Sequence, residues 1–100
     1  MKLLIDSNLG VKEIPENNIT HFINYPNPFN SETTFSFHKN DGNAEIQIYN
    51  VLGQLILSEK ITNSQTEYQW TPKGLTTGIY YSRLISNKKE VANRKVILSK

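Results

Sequence analysis

An all-β fold, built as an antiparallel sandwich of about seven strands, is what this sequence predicts. Three observations carry the prediction. Apolar residues recur at every second position through most of the chain after about residue 19, which places them on one face of a strand. Short clusters of Asn, Asp and Gly separate these runs, as tight reversals require. The stretch Leu75-Thr76-Thr77-Gly78-Ile79-Tyr80 has the spacing of a tyrosine corner, in which the phenol at the start of a strand bonds back to upstream backbone. The corner makes the expected sandwich immunoglobulin-like, with Gly78 permitting the bend.

Taken along the chain, residues 1–18 read as a linker or the tail of a preceding domain. Asp6-Ser7-Asn8, Gly10 and Pro15-Glu16-Asn17-Asn18 are turn material. The sandwich is expected over 19–100, with a first strand near 19–23. Tyr25-Pro26-Asn27-Pro28-Phe29-Asn30 follows, with prolines at alternate positions. Each proline fixes φ and pushes its predecessor toward extended geometry. The expectation is a stiff, extended strut at a sheet edge or a sheet entrance, because positions 26 and 28 have no amide to donate to a ladder. Phe29 would plug the end of the core and Asn30 cap a turn.

The next strands follow from alternation. Thr34-Phe35-Ser36-Phe37 buries both rings, and Ala44-Glu45-Ile46-Gln47-Ile48 buries its aliphatic residues. Over 54–61, Leu55, Leu57 and Ile61 fall on one face and Ile56, Ser58 and Lys60 on the other. Over 66–70, Tyr68 and Trp70 point inward. Tyr80, Ser82 and Leu84 share a face opposite Ile79, Tyr81, Arg83 and Ile85, and the last strand spans 90–99. Asn40-Asp41-Gly42-Asn43, Asn50-Val51-Leu52-Gly53 and Asn87-Lys88-Lys89 supply the turns.

Composition narrows the function. With no cysteine, neither disulfides nor thiolate sites support the core. Packing must do so, largely through ten aromatic residues that can each bury roughly 150 to 250 Å². His21 and His38 stand in no metal-ligand spacing and beside no nucleophile motif, the acids are dispersed, and no phosphate-binding loop occurs. No catalytic residue, cofactor or metal is expected. No apolar run approaches a transmembrane length. Residues 83–100 carry six basic residues against one acid, the remainder being net −3, and the excess is too small to predict a nucleic-acid partner. Lysines on a terminal strand also guard its edge.

Several quoted motifs resemble, in order, the C-terminal sorting domain of type IX (Por) secretion over residues 24–100. Tyr25-Pro26-Asn27-Pro28-Phe29-Asn30 is similar to the family's opening motif, and Thr33 to Phe37 to the strand after it. Ile48-Tyr49-Asn50-Val51-Leu52-Gly53-Gln54 resembles the central hairpin. Gly78-Ile79-Tyr80 with Arg83-Leu84 resembles the Gly-x-Tyr strand, and Lys95-Val96-Ile97-Leu98-Ser99-Lys100 the terminus. The resemblance implies a non-catalytic address for a secretion-machinery protein at the outer membrane. It implies an upstream cargo domain in a longer parent, and a secreted or cell-surface destination reached through the periplasm and outer membrane. Recognition would fall on Tyr25, Pro26, Asn27, Pro28 and Phe29 and on Lys95, Val96, Leu98 and Lys100, with Gly78 and Tyr80 holding the shape. Two other classes stay open on the residues alone. One is a carbohydrate-binding or adhesive module using Trp70, Tyr68 and Tyr81, and the other a scaffold like the immunoglobulin-like domain of flagellar hook-capping proteins.

Overall fold

Alternating burial in the computed structural model, which describes residues 21–39 and 42–100, follows the alternating sequence closely. Among the described residues there are seven strands and no helix: β1 (Phe22–Tyr25), β2 (Thr33–Phe37), β3 (Ala44–Tyr49), β4 (Leu55–Ile61), β5 (Glu67–Trp70), β6 (Gly78–Ser86) and β7 (Lys89–Leu98). They form two antiparallel sheets, β1-β2-β5 and β4-β3-β6-β7. The all-β sandwich expected from the pattern is therefore what the chain adopts. The expected linker over 1–18, the start of the first strand at 19 and part of the turn at 40–41 lie outside the described residues.

The core is the sum of the inward positions. Phe22, Phe35, Phe37 and Trp70 come from the three-stranded sheet, and Ala44, Ile46, Ile48, Ile61, Tyr80, Leu84, Val96 and Leu98 from the four-stranded one. Phe29 joins them from the segment between β1 and β2. Aromatic pairs run through the core: Phe22 stacks on Phe35 (centroids 5.5 Å apart), and Trp70 lies between Phe29 (5.6 Å) and Tyr80 (6.2 Å, edge to face). Such pairs add to simple area burial through the ring quadrupoles.

The reversals behave as their chemistry requires. In the β3–β4 turn, Asn50 Oδ1 accepts hydrogen bonds from the amides of Leu52 and Gln54, and Gly53 takes φ +81°, a value that costs a glycine nothing. The β6–β7 hairpin turns through Asn87 and Lys88, both at positive φ (54° and 67°), the pattern of a type I′ turn that suits the twist of paired strands.

Three expectations need correction. Leu55 is exposed and does not share the face of Leu57 and Ile61, because the register shifts between Ile48 and Tyr49: Ile48 pairs with Leu57 but Tyr49 with Leu55. Ile56 is the extra residue, and a bulge of this kind transfers everything beyond it to the opposite face. The proline segment is not a straight strut. It bends over 26–28, and both the Tyr25–Pro26 and Asn27–Pro28 bonds are cis. Proline's effect on φ says nothing about ω, which is why reasoning from φ alone made the segment straight. Finally, Gly78 is not required by the tyrosine corner: its φ lies outside the left-handed region and an added Cβ would meet no atom within 4 Å. The left-handed residue of that loop is Gly74 (φ +76°).

Candidate recognition surface

The proline segment and the C-terminal strand form a single unit, and the chemistry of proline explains the form this takes. β7 lies at the edge of its sheet, so alternate residues present backbone groups with no strand to pair them. Pro26 and Pro28 cannot donate to it. The carboxamide of Asn27 substitutes for a peptide group: its Nδ2 donates to Lys95 O (3.0 Å) and its Oδ1 accepts from Ile97 N (2.9 Å). Phe29 completes the seam through its own backbone, donating to Ile97 O (2.9 Å) and accepting from Ser99 N (2.8 Å). Together these bonds satisfy outward groups of residues 95, 97 and 99, and a parallel bridge pairs Phe29 with Leu98.

A buried polar cluster holds Asn27 in place. Its Nδ2 also donates to Asn24 Oδ1 (3.2 Å), which receives Arg94 Nε (3.2 Å) from the facing sheet. Asn24 Nδ2 donates to Thr33 Oγ1 (3.1 Å), and the Thr33 hydroxyl donates to Pro26 O (2.8 Å). Asn24 and Thr33 are buried, so these groups would be costly if left unpaired. Sequence reasoning missed Asn24, Thr33 and Arg94. Residues 24 and 94 are seventy positions apart, and no local pattern signals their meeting.

The geometry of this seam coincides with a match to known proteins. Residues 24–99 match the family of secretion system C-terminal sorting domains. The chain belongs to that family. No curated protein matches the chain. Membership implies a cargo protein, a secretion machinery and a secreted or surface-attached destination.

Within the sorting domain, the predicted recognition residues converge on one end. Gly78 pairs with Leu98 and Tyr80 with Val96, while Phe29 is bridged to Leu98 from the other side. They divide by direction. Phe29, Tyr80, Val96 and Leu98 are buried, with Phe29 only 2% exposed, so they shape the end from within. Tyr25 (78% exposed), Pro26, Pro28, Lys95 and Lys100 face outward, and Asn27 is half-buried between the two groups. Tyr80 makes the expected corner, its hydroxyl donating to Thr76 O (2.8 Å). Lys100 is tied to the preceding loop, its amide to Thr77 Oγ1 (3.2 Å) and its ammonium to Leu75 O.

Elsewhere the domain offers little reactive chemistry. His21 and His38 lie ring to ring (5.2 Å), with His21 Nε2 on Ser36 Oγ (3.0 Å), and no group of three potential metal ligands exists among the described residues. Trp70 is buried in the core as its alternation predicts, away from any sugar-stacking face. No helix among the described residues is long and apolar enough to cross a membrane.

Proposed function

We propose that this domain is a non-catalytic address read as a folded surface by a type IX translocon component at the outer membrane. Residues 19–100 act as the address, and 1–18 as a linker or the tail of a preceding domain. Recognition centres on the exposed residues of the proline segment and the terminus: Tyr25, Pro26, Pro28, Lys95 and Lys100. The observation that carries this reading is the seam of Asn27 and Phe29 against residues 95–99, which makes two segments distant in sequence into one continuous surface. A surface already ordered before contact loses little conformational freedom on binding.

The test is to place the full chain behind a periplasmic reporter in a host possessing the secretion system, and to delete residues 95–100. Loss of surface delivery is expected, with the reporter retained in the periplasm. Equal delivery with and without the deletion would reject the proposal.

A further inference from the structure

The outer face of the four-stranded sheet divides into two unlike halves. In one, the polar groups are spent on each other. Glu45 accepts from Gln47 (2.8 Å) and Ser58 (2.9 Å), Tyr49 donates to Gln47 (2.8 Å), and Arg83 reaches Gln47, Tyr49 and Glu90. The other half, toward the strand ends that carry the terminus, is apolar and open. The register places Leu55, Tyr49, Tyr81 and Lys95 in one row across the four strands, Tyr49 marking the border because its hydroxyl turns to the polar half, with Ile79 beside Ile97 in the adjoining positions. Leu55, Tyr81 and Ile79 are 53%, 47% and 39% exposed, and Val51 and Leu52 of the neighbouring turn 65% and 79%. A hollow lined by Leu52, Ile56, Leu75 and Ile79 continues this surface. Contiguous exposed apolar groups of this kind mark a contact surface.

Charge identifies the occupant. The segments that build this end, 24–32, 50–57, 71–82 and 93–100, contain Lys73, Arg94, Lys95 and Lys100 against a single acid, Glu32, in the connection between β1 and β2, so the other eight acids of the chain lie in other segments. Neither Lys73 nor Lys95 makes an ion pair among the described residues. We infer that this half-face docks a folded protein whose own contact surface is apolar at its centre and carboxylate-rich at its rim. The inference rests on the address reading and names the kind of partner.

Two other occupants fit less well. A second copy would set Lys73 and Lys95 against their own kind with Glu32 alone to answer, since a two-fold contact repeats the same patch on both sides. A lipid leaflet would take up Val51 and Leu52 at their turn, but Leu55, Ile79 and Tyr81 stand on the flat of the sheet, where a shaped solid surface reaches them. Apolar burial would supply affinity at the centre, and the lysines would orient the encounter and exclude basic partners.

The test uses Leu52→Glu and Lys73→Glu, both outside the proline segment and the terminus, in the reporter fusion alongside deletion of 95–100. Leu52→Glu, which sets a charge among the apolar groups, is expected to lower surface delivery by about tenfold or more, and Lys73→Glu, which reverses a charge at the rim, by a smaller factor of about two to five. Unfolding midpoints and Trp70 emission of the purified chains should stay unchanged, because both side chains are exposed. Full delivery of both variants, with the deletion still blocking export, overturns the docking surface and leaves the address reading standing. Delivery that survives the deletion overturns both. Light scattering showing a dimer that Leu52→Glu dissolves would assign the face to a second copy. Binding of the unmodified chain to phosphatidylglycerol vesicles that Leu52→Glu abolishes would assign it to lipid. Either result overturns the inference.

Discussion

The two halves of β7 are held in different ways. Residues 89–93 pair with β6 alone and run beside solvent, guarded by the charges of Lys89 and Glu90. Residues 94–98 are gripped from both sides, by β6 and by the Asn24–Asn27–Phe29 seam. One strand thus has an edge discouraged from pairing by charge and an edge closed by hydrogen bonds. The contrast shows where order was needed: the terminus is the half that receives the extra bonds.

The contrast can be broken most severely at Phe29. Phe29→Ala should cost about 3 to 5 kcal/mol, the range for deleting a buried ring. It removes the ring contact with Trp70 from the end of the core and leaves the backbone bridge to Leu98 in place. Denaturant unfolding would show this as a lowered midpoint, and a cost below about 1 kcal/mol would mean the end of the core repacks without it. Asn27→Ala should cost about 1 to 3 kcal/mol, because Ile97 N–H and Lys95 C=O lose their partners. Its signature is local: hydrogen exchange at the Ile97 amide should accelerate well beyond what the fall in global stability explains. Tyr80→Phe removes one hydrogen bond to Thr76 O and keeps the ring, so about 1 kcal/mol is expected.

The smallest effect sharpens the comparison from the far half of the sheet. Hydrogen bonds from Gln47 and Ser58 hold the Glu45 carboxyl below its ordinary value. A depressed carboxylate contributes stability that is fully present above the unfolded value and lost as pH falls through the folded one. Glu45 is half-buried on the outer face of the sheet, where water screens its charge, so the contribution is small. An NMR titration of its carboxyl carbon should give a midpoint below 4.5, and a midpoint at or above that value would remove the hydrogen bonds from the account.

How much could be read in advance depended on the range of the interaction. Alternation identified the inward faces of β2, β3 and β6 because burial there is set residue by residue. The tyrosine corner was legible because both partners lie within four positions. Leu55 was misassigned because a bulge is decided by two strands together, and a period-two reading of one strand contains no information on it. The proline segment was placed correctly at an edge, yet its bend and its clamp were hidden. Asn27 reads locally as a turn residue, and its partners are found only once β7 has returned beside it.

The chain contains a single tryptophan, and it lies beneath the clamped end, between Phe29 and Tyr80. The domain therefore carries its own optical reporter. Loosening of the seam would admit water to the indole and shift its emission to longer wavelength before the strands separate. Engagement of the surface outside would leave that colour unchanged. A fluorimeter can thus tell a partner that reads the closed end from one that prises it open.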